Sequence, residues 1–148
     1  MNLSHKTAIK RKGLSAPTEW LRSEGLIKGR ILDYGCGRGS DAILLLNTFP
    51  LIERYDPYYF PFTPKRKYDT IICNYVLNVI PDVYDRLEVL KGLRGLIKKG
   101  GVIYISVRRD KKNLKGYTRS GTWQGLVELD LPVVYEKRGS YIIYRLGK

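Results

Sequence analysis

Apolar positions along this chain come in short, compact runs separated by polar turns, with one longer stretch in which they recur near every 3.6 residues. Ser15 as an N-cap, Pro17 in the first turn, Trp20 and Leu21 as an apolar face and Gly25 as a stop predict a short first helix. Residues 30–34 read as a strand, 35–39 as a turn, and Ser40 as the cap of a helix reaching about Phe49, where Pro50 ends it. "LIERYDP" gives a second short strand that stops at Asp56, because Pro57 disfavours helix in its predecessor and cannot donate to a ladder. "YDTIICNY" is apolar on both faces from Thr70 to Cys73, as at the centre of a covered parallel sheet. Asp82 then caps a long helix whose positions Val83, Leu87, Leu90, Leu93, Arg94 and Ile97 follow the helical period. Lys98 and Lys99 lie at its negative end, and Gly100 and Gly101 terminate it. Residues 102–107 form a strand, residues 108–122 a basic loop, and "PVVYEK" and "SYIIYRL" a hairpin turning at Arg138 and Gly139.

This alternation predicts the α/β class: an open, mostly parallel sheet with helices on both faces and a C-terminal antiparallel hairpin. The length of 148 residues suits a single domain, with residues 1–13 as a basic arm. Ala42–Leu46 is the longest apolar run, so neither a membrane anchor nor a signal peptide is expected. Cys36 and Cys73 sit in apolar contexts and read as reduced thiols, which points to the cytoplasm. With one histidine, His5, expected to be exposed near the terminus, no metal-ligand spacing is present. Charge changes the picture more: 27 Lys and Arg against 14 Asp and Glu leave a net +13, an electrostatic footprint for nucleic acid.

The chemistry concentrates in "ILDYGCGRGSDAILLL", residues 31–46. A P-loop needs G-x-x-x-x-G-K-[ST], and neither the spacing nor the lysine follows Gly35. The dinucleotide fingerprint would set its third small residue at Ser40, whereas the third glycine is Gly39, so that match stays open but strained. Asp33, two residues ahead of the first glycine, would repel a pyrophosphate yet can accept from a positively charged α-amino group.

The D-x-G-x-G-x-G order, with a strand before and a helix after, resembles the class I S-adenosylmethionine-dependent methyltransferases, which have a Rossmann-like sheet. The resemblance covers about residues 14–107 and implies S-adenosyl-L-methionine as cofactor. Asp33, Gly35, Cys36, Gly37 and Gly39 would then lie at the cofactor. Asp56, followed by Pro57 and Tyr58, fills the place of the acid that binds the ribose hydroxyls. "YDTIICNYVLNVIPD" is similar to the family's fourth motif, which sets Asn74 at the site floor and Tyr75 beside it as the candidate catalytic pair, while "LKKGGVIYISV" completes the pattern. Adenine-specific members carry [DNS]-P-P-[YFW]; here the residues are Asn74, Tyr75, Val76 and Leu77, so adenine N6 methylation is not implied. The "PYYFPFTPKRKY" connection is too short for the family's third strand, which is expected to be missing together with its adenine-contacting acid. Tyr58 or Tyr59 would stack on adenine instead. This compact layout resembles DNA phosphorothioation-associated methyltransferase-like proteins and phage-type relatives.

Ligands of open α/β sheets sit beyond the C-terminal strand ends, so the loops after residues 34, 56, 74 and 107 surround the site. The basic loop over it supplies the expected substrate-binding residues Arg108, Arg109, Lys111, Lys112, Tyr117, Arg119 and Trp123, with aromatics interleaved as a base-stacking surface needs. Lys65, Arg66 and Lys67 precede a strand and belong at the opposite edge. The expected function is methyl transfer to nucleic acid or a nucleotide-like acceptor. A small-molecule or protein methyltransferase and a non-catalytic S-adenosylmethionine-binding partner are the alternatives, with a second copy or a protein partner expected at the exposed sheet edge.

Overall fold

The computed structural model describes residues 4–8, 12–64 and 67–147. Helix α1 (Ala16–Ser23) starts behind Ser15 with proline in its first turn, and Gly25, at φ 69°, follows its end. Strand β1 (Ile31–Tyr34) leads through the glycine turn into α2 (Ser40–Leu45), and β2 (Glu53–Tyr55) follows. Two details of α2 correct the sequence reading. Gly39, at φ 79°, takes the N-cap and Ser40 is the first helical residue, because the turn needs a left-handed residue just before the helix. The helix also stops at Leu45 rather than Phe49, as Leu46 N turns to Ile43 O and Thr48 N to Leu45 O, i to i−3 bonds that tighten the chain beyond its end.

Strand β3 (Tyr68–Asn74) is followed by α3 (Val83–Leu96), capped as expected by Asp82, whose carboxylate accepts from Tyr84 N at 2.7 Å. Its C-terminus departs from expectation. Ile97 is extended and fully buried opposite Tyr68, so β4 (Ile97–Arg108) begins at once, and residues 98–101 form a bulge before Val102 meets Thr70. Gly100 and Gly101 therefore break a strand, not a helix. A Cβ on Gly101 would stand 2.8 Å from the Ile97 side chain.

The residues expected as one basic loop contain a 3-10 turn at Lys111–Asn113 and β5 (Lys115–Tyr117), which pairs with β6 (Trp123–Gly125) in a separate ribbon. The chain closes with the hairpin of β7 (Val133–Lys137) and β8 (Tyr141–Gly147). The main sheet runs β2-β1-β3-β4-β8-β7, parallel through β4 and antiparallel beyond it. Among the described residues no strand lies between β2 and β3, which leaves three-residue β2 as an open edge.

Alternate residues of the strands feed two apolar layers, as the pleat requires. Ile31, Ile72, Tyr104 and Ile143 pack with Leu21 and Leu45 of α1 and α2. Leu32, Ile71, Ile103 and Ile105 pack with Leu93 of α3 on the other face. With both faces covered, the C-terminal strand ends are left to build the site. No described helix is long and apolar enough to cross a membrane.

Candidate functional site

β1 ends in Asp33 and Tyr34, and the chain reverses through Gly35, Gly37 and Gly39, with φ of 74°, 57° and 79°. A Cβ at Gly35 would stand 2.3 Å from Val76 Cγ2, so a side chain there is excluded by space as well as by φ. Four amide hydrogens of the turn are spent inside the protein. Gly35 N and Cys36 N donate to Tyr55 O at 2.7 and 2.9 Å, Gly39 N to Cys36 O at 3.0 Å, and Gly37 N to Asp56 Oδ1 at 3.1 Å. A phosphate cradle aims such groups at its ligand. This turn does not, and six-residue α2 behind it offers no alternative.

A cavity of about 750 Å³ opens above these strand ends. Over β1 and β2 its wall carries Asp33, Gly35, Cys36, Gly37, Asp56, Pro57 and Tyr58, so the structure brings together the expected cofactor residues apart from Gly39, which lies behind the wall. Asp33 is 5% exposed. Asp56 Oδ2 accepts from Tyr58 N and Tyr59 N, both at 2.9 Å, so this acid also fixes the turn that follows β2. Ser4, His5, Thr7 and Ala8 close this half from the N-terminal side, and His5 stacks on Tyr58 with ring centroids 3.9 Å apart. His5 is thus half-buried on the wall, not the exposed terminal residue the sequence suggested. Burial and the nearby Asp33 and Asp56 carboxylates push the Cys36 thiol up, and burial pushes the Tyr34 phenol up to about 12. Both stay neutral at ordinary pH. S-adenosylmethionine suits this lining: its α-ammonium and ribose hydroxyls are donors to carboxylates, and it carries no phosphate.

Over β3 and β4 the wall carries Asn74, Tyr75, Val76, Asn78, Val79, Ile80, Val89, Arg108, Asp110 and Gln124. Asn74 lies on the floor, but its amide is occupied. Nδ2 donates to Thr18 Oγ1 at 2.6 Å and Oδ1 accepts from Ser106 Oγ at 2.8 Å. Behind it Asp41, buried in the first turn of α2, accepts from Ser15 N at 2.8 Å, Ser15 Oγ at 2.5 Å and Thr18 Oγ1 at 2.7 Å. Asn74 therefore positions the floor by tying α1 to β3 and β4. Tyr75 is the only non-glycine with positive φ among the described residues, at 58°, a conformation that costs about 1–2 kcal/mol. Its N–H donates to Ser106 O at 2.9 Å, which holds it at the strand end.

The expected substrate-binding residues separate. Arg108 is on the wall, its guanidinium bonded to both carboxylate oxygens of Asp110, whose carboxyl this pairing lowers to about 2. Arg109 turns into the packing, donating to Val127 O at 2.8 Å and Tyr144 Oη at 2.7 Å. Trp123 packs against the α3-side core, with the Arg86 guanidinium 5.7 Å over its ring. Lys111, Lys112, Tyr117 and Arg119 are exposed outside the cavity, Tyr117 at 71%. Lys67 begins the opposite edge, bonded to Gly95 O; Lys65 and Arg66 lie outside the described residues. Asp41, Asn78 and Gln124 were missed as wall residues. Asp41 had a signal, an acid at the head of an otherwise apolar helix; Gln124 had none.

The family model described as a methyltransferase domain matches residues 9–136. Among solved structures, an S-adenosylmethionine-dependent methyltransferase from Clostridium acetobutylicum is similar with a TM-score of 0.63 at 16% identity, covering 88% of this chain and 89% of that one. Magnesium protoporphyrin IX methyltransferase (ChlM) from Synechocystis with bound SAH gives 0.57 at 18% identity, covering 88% and 78%. N-methyltransferase NodS from Bradyrhizobium japonicum in complex with SAH gives 0.54 at 13%, covering 87% and 82%. At these identities the likeness is one of fold. No curated protein matches the sequence.

Proposed function

The chain belongs to the methyltransferase-domain family and is an S-adenosylmethionine-dependent methyltransferase, and from that premise we propose that its acceptor is nucleic acid or a nucleotide-like molecule. One observation carries this reading. Lys111, Lys112, Lys115 and Arg119 are all exposed on the segment that leaves β4 at the cavity end of the sheet, with exposed Tyr117 among them. Cations with an interleaved aromatic suit a phosphate backbone and its bases. A small-molecule acceptor is the second reading, supported by the apolar Val76, Val79, Ile80 and Val89 on the inner wall.

In either case Asp33, Asp56 and the glycine turn would hold the cofactor, which when bound supplies an electrophilic methyl group on a sulfonium. The chain's own part is positioning and exclusion of water. Asp33 would orient the cofactor's amino end, the His5–Tyr58 stack and Ala8 would cover it at the glycine turn, and Val76, close against Gly35, stands where the two halves meet. With its thiol held neutral, Cys36 is not set up as a covalent nucleophile on the wall, and direct transfer needs none.

Within the family, the short connection after Asp56 supports grouping the chain with the compact DNA phosphorothioation-associated and phage-type relatives. The same reading takes residues 1–148 as one domain working in a reducing, cytoplasmic setting, with a second copy or a protein partner at the open β2 edge. Incubation with methyl-labelled S-adenosylmethionine and separate RNA, DNA, protein and small-molecule fractions tests the acceptor. Label in RNA or DNA is expected. Label only in protein or small molecules replaces the nucleic-acid reading, and label in none favours a cofactor-binding partner that does not transfer methyl groups by itself.

A further inference from the structure

We propose that Asn78 and Gln124 form an acceptor-recognition pair, which reads a planar ligand edge bearing an N–H beside a hydrogen-bond acceptor, as the amino and ring-nitrogen edge of a nucleobase does. The inference rests on the nucleotide-like acceptor proposed above and names the side chains that would recognise it.

Asn78 lies in the 3-10 turn Leu77–Val79, directly after β3, and is 1% exposed. Its Nδ2 donates to Gln124 Oε1 at 2.9 Å, while its Oδ1 is buried without a partner. Buried carbonyl oxygens in folded proteins are almost always paired, so this one marks a place where a donor is missing. Both residues belong to the cavity wall. Gln124 arrives there because β6 alternates: Trp123 packs against the α3-side core, so its neighbour faces the other way.

The pair has a defined hydrogen-bond grammar. One amide hydrogen of Asn78 and the Gln124 oxygen satisfy each other, which leaves the Asn78 oxygen as an acceptor and, as donors, the NH2 group of Gln124 and the second amide hydrogen of Asn78. Reversing both amides exchanges those roles and still leaves an acceptor beside a donor. The complementary ligand edge therefore carries a donor next to an acceptor. The surrounding wall is apolar at Val76, Val79, Ile80 and Val89, and the charge of Arg108 is answered by Asp110. This half thus selects a neutral, flat group, and the exposed lysines outside are left to meet phosphates.

The location separates the pair from the cofactor. Asp33, Gly35, Gly37 and Asp56 line the ends of β1 and β2, whereas Asn78 follows β3 and Gln124 belongs to the ribbon that follows β4, the next strands across the sheet.

The test uses the full chain saturated with S-adenosylhomocysteine, so that nucleosides cannot occupy the cofactor half. Calorimetry then measures adenosine and cytidine against N6,N6-dimethyladenosine and N4,N4-dimethylcytidine, which lack the amino hydrogens. We expect the unmodified nucleosides to bind about 10-fold or more tightly than their dimethylated forms. In Asn78→Leu and in Gln124→Ala that preference should fall towards unity while S-adenosylhomocysteine affinity stays unchanged. The S-adenosylhomocysteine affinity also reports folding, and Gln124→Ala, on a partly exposed ribbon, serves if Asn78→Leu is unstable. If nucleosides bind and the preference survives both substitutions, the pair is not the reader and the acceptor class stands. If no nucleoside binds the loaded protein, the acceptor class fails and takes the pair with it.

Discussion

At the β1–β2 end of the cavity the wall comes from two short stretches, residues 33–37 and 55–58, closed over by Ser4, His5, Thr7 and Ala8, and the turn's backbone groups are tied to one another through Tyr55 and Asp56. At the β3–β4 end the wall is gathered from residues 74–76 and 78–80, Val89, Arg108, Asp110 and Gln124, and it includes a buried amide oxygen with no partner. The turn of the first half is hydrogen-bonded within the protein before any ligand arrives, which suits a cofactor of constant shape. The second half is assembled across the fold and leaves hydrogen-bonding capacity open, which suits the choice of an acceptor. Substitutions should therefore separate cofactor affinity from acceptor affinity, and the largest effects should fall on the glycine-turn side.

Gly35→Val should be the most damaging. Its Cβ would stand 2.3 Å from Val76 Cγ2 at a φ of 74°, so turn and wall cannot both keep their places. A loss of S-adenosylhomocysteine affinity beyond about 100-fold is expected, with about 2 kcal/mol or more of stability. Calorimetry and thermal melting check both; near-native binding would mean that the turn is not the cofactor's floor. Asp33→Ala comes next. Losing a carboxylate partner for the cofactor's ammonium should cost about 10–100-fold in affinity, with nucleoside binding to the other half unaffected. Equal losses in both halves would erase the distinction between them.

The same contrast explains what the sequence disclosed. Asp33, the glycines and Asp56 were legible because a strand, a turn and a helix start express themselves within a few neighbours. Pro57 marked the end of β2 in the same local way. Gly100 and Gly101 were misread because a helix stop and a strand bulge use similar residues; only the burial of Ile97 opposite Tyr68 decides between them. The place of Asn74 at a strand end was legible, but not its occupation, since its partner Thr18 is 56 residues away in α1. Gln124 meets Asn78 across 46 residues, and nothing near either one announces it. The positive charge was legible as a total, whereas its division into exposed lysines and arginines bound within the fold depends on where β4 ends and how β5 folds onto β6.

That division gives a smaller test, outside the cavity. Replacing Lys111, Lys112, Lys115 and Arg119 with alanine should flatten the salt dependence of RNA or DNA binding, by up to about 0.9 in the log–log slope for each phosphate left without its cation. Arg109→Ala should instead lower the melting temperature with little change in slope, because Val127 O and Tyr144 Oη lose their donor. Equal slopes for the two sets would place the polyanion surface elsewhere.

The smallest effect belongs to the wall pair Arg108 and Asp110. The Asp110 carboxyl is lowered to about 2, first by the hydrogen bond from Arg108 and then by Asn113, whereas an aspartate in an unfolded chain titrates near about 3.9. A lowered folded-state value means that the unfolded chain takes up the proton first as the solution is acidified. The pair's contribution is thus complete above about pH 4 and is lost as pH falls towards about 2. Asp110→Asn should lower the melting temperature by about 2–5 °C at pH 7, and the difference should close as the pH approaches 2. A gap that persisted there would mean that Asn113 and the 3-10 turn, rather than the ion pair, hold this wall. At pH 7 the variant should leave S-adenosylhomocysteine affinity untouched, since Asp110 belongs to the half of the cavity that meets the acceptor.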